Sequence, residues 1–313
     1  MQEFNAYMRK KMIVSYEITR ACNLRCEYCY NLKFLDNAQT HDVDMARMVI
    51  DKLTEFKETH PDWELELDIL GGDPLMAPNL FDFVEELAKI DIVIWVVTNL
   101  MTTDREKLTR LRGLMEFPNV GVAATWHDKI NNDVFKENML FMKESMSHRD
   151  YGIKEKAVNT NLIASFVLFN DNQDMINKSH WLRDNDIQYG VTHYYDEAQN
   201  RHEKYSEFSD ATREVFENSI PYGYDFYLGD EKLTMEQFEN MELYKVADNY
   251  RVVCEPLNYN IKYDGEVSLS CKKARKRSLD YNIKDGLKPM RLFCDKGDCY
   301  CSWYGYKELI GKK

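Results

Sequence analysis

The chain has 313 residues, a formal net charge of −12 and 44% hydrophobic residues. That balance suits a globular protein with a sizeable core and argues against a broadly basic nucleic-acid-binding surface. The longest apolar runs, residues 92–97 and 162–169, are strand-sized, and the first residues lack the apolar core of a signal peptide. A cytoplasmic protein with no membrane partner is therefore expected.

Residues 1–11 read as an N-terminal extension. Residues 12–18 form a β-rich run that ends at Cys22-Asn23-Leu24-Arg25-Cys26-Glu27-Tyr28-Cys29. Gaps of three and two residues are too short for good disulfides, yet they let three thiolates reach three corners of a cubic iron–sulfur cluster. The fourth iron then stays open to a substrate or cofactor. A helix is predicted over residues 44–59, where Met45, Met48, Val49, Leu53 and Phe56 share one side. A second strand, 65–70, is stopped by Gly71-Gly72-Asp73-Pro74, and a helix follows at 80–88. Residues 92–97 give a third strand ending at Thr98-Asn99, then a helix at 104–115. A fourth strand, 120–125, ends at Trp126-His127 and leads to a helix at 132–145. Strand 161–169, helix 174–185 and strand 187–194 complete the series.

Six successive β–α units imply parallel strands with right-handed crossovers. The chemistry-bearing residues recur just after strands, at the edge where parallel α/β folds build their sites. The expected fold class is α/β: a partial (β/α)6 barrel over residues 12–200, open on one side. Residues 201–250 read as a helical connector, with helices at 211–218 and 235–246. Residues 251–313 read as a small C-terminal domain with a β-hairpin at 259–269, turning at Asp264-Gly265.

The eight cysteines are segregated, three in the first loop and five (Cys254, Cys271, Cys294, Cys299, Cys301) near the C-terminus. Without an export signal, metal centres are expected rather than disulfides. Structural zinc is the alternative for the second group, but the segment lacks paired CxxC knuckles, so an iron–sulfur centre is preferred. Lys272, Lys273, Arg275, Lys276 and Arg277 follow Cys271 closely. They suit either a solvated loop or contacts to a phosphate-bearing substrate.

The cysteine loop after a first strand, with Tyr28 between its last two cysteines, and Gly71-Gly72-Asp73-Pro74 after the second strand resemble the radical S-adenosylmethionine superfamily over residues 12–200. The resemblance implies that Cys22, Cys26 and Cys29 hold a 4Fe–4S cluster whose open iron takes S-adenosylmethionine. Reductive cleavage then gives a 5′-deoxyadenosyl radical that removes hydrogen from an unactivated carbon. It also implies cofactor contacts from Tyr28, Gly71, Gly72, Asp73, Pro74, Thr98, Asn99 and Thr125. Where the family usually has glutamate this chain has Asp73, a shorter side chain. His127, His193, Tyr195 and Asp196 are candidates for substrate contacts, as are Lys272, Lys273 and Arg275, while a histidine at a strand end also serves as an ordinary hydrogen-bonded residue. Trp126 reads as core or cavity wall.

The C-terminal cysteines resemble the auxiliary-cluster module called twitch, or a shortened SPASM module, implying a second 4Fe–4S cluster held by four of the five. Implied partners are a flavodoxin- or ferredoxin-type reductant and a ribosomal peptide or a nucleotide or nucleoside substrate, for oxidation, crosslinking or rearrangement. The competing reading is a non-catalytic iron–sulfur or zinc-binding electron-transfer protein.

Overall fold

The computed structural model describes residues 3–4, 11–29, 32, 35, 43–128, 130–147, 160–193, 195–196, 201–202, 207–220, 226–228, 231–233, 250–256, 258–269, 281–289, 292–294 and 305–312. A short β1 (Glu3–Phe4) precedes β2 (Lys11–Thr19), α1 (Val43–Thr59), β3 (Glu64–Gly71), α2 (Leu80–Leu87), β4 (Val93–Thr98) and α3 (Arg105–Leu114). Then come β5 (Val120–Thr125), α4 (Asn132–Lys143), β6 (Leu162–Leu168), α5 (Gln173–Asp184) and β7 (Tyr189–His193). Strands β2 to β7 pair in sequence order, every pair parallel. The six expected β/α units are present, with boundaries within about two residues of those predicted.

Side-chain alternation explains why the sheet forms a partial barrel. On β2, Met12, Val14, Tyr16 and Ile18 are buried with Leu65, Leu67 and Ile69 of β3, in one core with Val49, Leu53 and Phe56 of α1. The intervening residues make the opposite face, where Trp95, Ala123 and Ile163 cluster with Ile220 and, among the described residues, no helix residue joins them. The described helices thus cover one face, which favours rolling over a doubly wound sheet. Gly121 makes room for that inner cluster, because a Cβ there would stand 2.4 Å from the Trp95 ring.

The helices begin where their caps demand. Asp104 Oδ1 accepts from Glu106 N and Lys107 N at 3.1 Å, and Asn131 caps α4 in the same way. Past β7 lie a small ladder of β8 (Tyr195–Asp196) with β9 (Arg201–His202), then α6 (Asp210–Glu217), the first of the two expected connector helices. The second, at 235–246, lies outside the described residues. The connector also contains a ladder the sequence reading lacked, β10 (Phe226–Leu228) with β11 (Glu231–Leu233). Its signal was Gly229-Asp230 between two short β-prone runs, masked by polar neighbours.

The expected hairpin is present, with its Asp-Gly turn. After β12 (Tyr250–Pro256), β13 (Asn258–Ile261) pairs antiparallel with β14 (Val267–Leu269), and Gly265 takes φ +83° at the turn. It does not stand apart from the barrel, however: β13 pairs in parallel with β2 and extends the main sheet to eight strands. A second sheet joins β12 to β15 (Leu292–Cys294) and to β16 (Gly305–Lys312), with β1 on the outer side of β16. No helix among the described residues is long and apolar enough to cross a membrane.

Candidate functional site

The loop carrying Cys22, Cys26 and Cys29 leaves β2 at Thr19 and is stitched to the end of β3. Gly72 N donates to Thr19 O and Asp73 N donates to Ala21 O, both at 2.8 Å. The strands come this close because Gly71 and Gly72 lack side chains. A Cβ on Gly71 would stand 2.0 Å from Thr19 O, and one on Gly72 2.1 Å from Ala21 O. Gly71 also takes φ +140°, which a side chain disfavours. The glycine pair therefore has a reason that the sequence did not disclose: it admits the backbone of the cysteine loop itself.

Asp73 is buried, and its Oδ1 accepts from Leu75 N at 3.0 Å and from Thr98 Oγ1 at 2.8 Å. Burial pushes its pKa up, opposed by those hydrogen bonds. With Pro74 as first residue, Asp73 caps a short 3₁₀ turn, Pro74–Met76. The carboxylate thus joins the end of β3 to the end of β4. Thr98 Oγ1 also accepts from Leu100 N at 3.1 Å, and Leu100 holds φ +51° with its side chain fully buried. A left-handed leucine costs about 1–2 kcal/mol. Asn138, on α4, offsets it by donating from Nδ2 to Leu100 O at 2.7 Å and to Thr102 O at 2.9 Å.

That strained turn directs Asn99 at the cysteine loop. Its Nδ2 lies 2.8 Å from Asn23 Oδ1 and 3.9 Å from Cys22 Sγ, while its Oδ1 accepts from Met101 N at 2.8 Å. Asn23 completes the ring by donating to Met101 O at 2.6 Å. Leu24 N donates to Cys22 Sγ at 3.4 Å. All three loop cysteines are unbridged thiols of intermediate exposure. Burial raises the pKa of Cys22, and burial together with the neighbouring thiols of Cys29 and Cys22 pushes Cys26 up to about 11. Three soft donors within eight residues, one receiving two N–H bonds, suit an iron–sulfur cluster, which would bind them as thiolates.

On the far side of the loop, Tyr28 OH lies 2.9 Å from His127 Nδ1, the two rings stack at 5.9 Å, and Phe169 meets Tyr28 edge-on. This links the cysteine loop to the ends of β5 and β6. Beneath it, Lys178 of α5 is buried, with Nζ 3.2 Å from His127 O, 3.1 Å from Asp128 Oδ1 and 2.7 Å from Asp174 Oδ2. Thr125 reaches Ser165 at 3.2 Å. Trp126 is core as expected, stacked on Phe135 and donating from Nε1 to Asn132 Oδ1.

Burial, then the charge of Lys178, lower the pKa of His127 to about 4, with Asp128 opposing. The folded chain therefore resists protonating His127, whereas the unfolded chain takes the proton near its ordinary value of about 6.5. The sign follows: the unfolded state binds more protons in this window, so stability is full above about 6.5 and is lost as pH falls toward about 4. We expect a loss of up to about 3 kcal/mol across that interval. Urea unfolding of the full chain at pH 7, 5 and 4 reads it, and His127→Gln should flatten the dependence.

Asn23, Phe169, Asn138 and Lys178 were missed from sequence. The last two carried a signal, being polar residues within the buried stripes of α4 and α5. Cys254 and Cys294 lie in β12 and β15, and His193, Tyr195 and Asp196 in β7 and β8, with only their backbones described. Cys271, Cys299, Cys301, Lys272, Lys273 and Arg275, with Lys276 and Arg277, lie outside the described residues.

Residues 16–145, running from β2 through α4, match the family described as the Radical SAM superfamily. They form a radical SAM domain. The superfamily implies a 4Fe–4S cluster and S-adenosylmethionine, and the loop, glycine turn and Asn99 all fall within the matched radical SAM span. Over 100 residues, 31% of this chain and 26% of the relative, the chain is 31% identical to the tungsten-containing aldehyde ferredoxin oxidoreductase cofactor-modifying protein of Pyrococcus furiosus. Over 175 residues, half of each chain, it is 25% identical to the GTP 3′,8-cyclase of Staphylococcus epidermidis. Its fold resembles Streptococcus suis SuiB bound to S-adenosylmethionine, with a TM-score of 0.54 at 13% identity over 90% of this chain and 63% of SuiB. SuiB bound to its precursor peptide SuiA gives a TM-score of 0.56 at 13% identity, over 94% of this chain and 64% of SuiB. The chain thus spans between a quarter and two thirds of the proteins it matches.

Proposed function

We propose that this chain is a radical S-adenosylmethionine enzyme in which Cys22, Cys26 and Cys29 hold the 4Fe–4S cluster. When bound, the cluster and cofactor supply reductive cleavage of the sulfonium bond and, from it, hydrogen abstraction from a substrate carbon. The observation that carries the reading is the stitched contact between the cysteine loop and Gly71-Gly72, which a plain electron carrier does not need. The protein's part is to hold the loop, set Tyr28 against His127, and keep water from the reacting carbon.

For the substrate we favour a peptide over a nucleotide. Strands β3 to β7 contain no lysine or arginine, and the inner face of β2 and β3 carries Ser15, Glu66 and Asp68 beside Trp95. Strands without cations offer a polyphosphate no partner, which leaves a peptide as the better fit. The basic run at 272–277 is the feature that favours the nucleotide class.

An auxiliary 4Fe–4S cluster held by C-terminal cysteines completes the proposal. Cys294 pairs with Val252 and Cys254 with Leu292, which puts the two cysteines in diagonal positions on neighbouring strands. Because β13 runs parallel to β2, its first residue, Asn258, sits beside Ile13, at the sheet edge away from the first cysteine loop. Cys254 precedes it by four residues, so a second centre would face the first across the barrel. Full cysteine ligation there suits removal of an electron from a product radical.

The test is anaerobic reconstitution with iron and sulfide, then S-adenosylmethionine and either dithionite or a flavodoxin- or ferredoxin-type reductant. We expect 5′-deoxyadenosine and about eight irons per chain. Iron near four together with zinc removes the auxiliary cluster. No 5′-deoxyadenosine, with peptide and nucleotide candidates both supplied, removes the enzyme reading.

A further inference from the structure

Asn99 does more in this structure than line a cofactor pocket, because both ends of its side-chain amide are already committed. Oδ1 is taken by Met101 N, and Nδ2 is shared between Asn23 Oδ1 and Cys22 Sγ. The amide is 4% exposed, so water does not compete for it. Orientation is fixed from both sides, since Asn23 is held in turn by Met101 O. The strained Leu100 that follows is locked by Thr98 and Asn138, and this conformation aims the preceding residue at the loop.

We propose that Asn99 is a positioning residue for the iron–sulfur cluster: its amide N–H binds the Cys22 sulfur, fixes the first ligand and raises the reduction potential of the cluster. This rests on the assignment of Cys22 as a ligand. The physics is that of any hydrogen bond to a cluster sulfur. Reduction adds negative charge that spreads onto the thiolates, so an N–H dipole aimed at one of them stabilises the reduced form more than the oxidised form. Leu24 N supplies a second such bond, but from the backbone, leaving Asn99 as the donor that mutation can remove. A potential set in this way decides how readily the reductant loads the cluster before S-adenosylmethionine is cleaved.

The test is Asn99→Leu, close in size but without a donor, alongside Asn23→Leu, which leaves the donor in place and removes its lock. The full chain is reconstituted, iron is counted, and the midpoint potential is read by EPR-monitored titration without S-adenosylmethionine. We expect wild-type iron in Asn99→Leu with a roughly fivefold lower reduced-to-oxidised ratio at a fixed potential, about 40 mV more negative at 59 mV per decade. Asn23→Leu should shift the same way by less. An unchanged potential in both variants, with iron retained, overturns the proposal while leaving the cluster assignment standing. If Asn99→Leu takes up no iron, Asn23→Leu decides alone: an unshifted potential overturns the proposal. Failure of the wild-type chain to bind a cluster through Cys22 is the separate result that removes the underlying assignment.

Discussion

Single alanine substitutions at Cys22, Cys26 or Cys29 will each abolish 5′-deoxyadenosine formation, by about a thousandfold or more, and remove about four irons per chain. The size of the effect follows from the ligand count. With three protein ligands there is no spare thiolate to take over, and among the described residues no group of three or more cysteine, histidine or acidic side chains, the loop cysteines included, stands ready to hold a single metal ion. Alanine at Cys26 has a particular consequence in the protein without cluster. The thiol it removes is pushed to about 11 by burial and its two neighbours, hence protonated in folded and unfolded chain alike at neutral pH, so alanine there removes no charge and should leave stability at pH 7 little changed. Loss of activity with unchanged unfolding would then separate a missing ligand from a collapsed loop. Cys254→Ala is the contrasting variant. It should lower iron by about four per chain yet leave cofactor cleavage within about tenfold, because its strand belongs to the other sheet. Cleavage that survives alanine at Cys22, Cys26 and Cys29 alike would overturn their assignment as ligands of the cluster that takes S-adenosylmethionine.

The barrel was legible because its signals are local and repeated. The β-rich run over residues 12–18 names β2, and helical spacing names both element and buried side for α1. The cysteine loop was legible because its chemistry depends on spacing within eight residues. What could not be read were contacts between residues far apart in sequence. Asn99 and Asn23 stand 76 positions apart and His127 and Tyr28 stand 99 apart, and nothing local says which polar strand-end residue meets which. The hairpin at 258–269 shows the same limit. Its turn was plain from Asp264-Gly265, but pairing with β2 joins residues more than 240 positions apart, which only the assembled sheet decides.

Among the described glycines, Gly72→Ala will be the most damaging added methyl, with Gly71→Ala close behind. In both, the new Cβ meets backbone and not a side chain that can swing away: Ala21 O at 2.1 Å and Ala21 C at 2.5 Å for Gly72, Thr19 O at 2.0 Å for Gly71. Ordinary contact needs more than an ångström of extra separation between β3 and the cysteine loop. That movement breaks the bonds from Gly72 N to Thr19 O and from Asp73 N to Ala21 O, which close the same seam. Two buried backbone bonds and the steric strain together put the loss at about 3–5 kcal/mol, read by urea unfolding of the full chain. Gly113→Ala serves as the control. That glycine lies in the last turn of α3 with nothing within 4 Å of its added Cβ, so alanine should stabilise by about 0.5–1 kcal/mol through helix propensity. Cluster uptake tells why the seam is there. Cys22 directly follows Ala21, so opening the seam displaces the first thiol, and both glycine variants should take up little iron even where they remain folded. If Gly72→Ala instead keeps stability and iron but loses S-adenosylmethionine binding, the glycines serve close approach of the cofactor. The seam between the two backbones would then be incidental to the site.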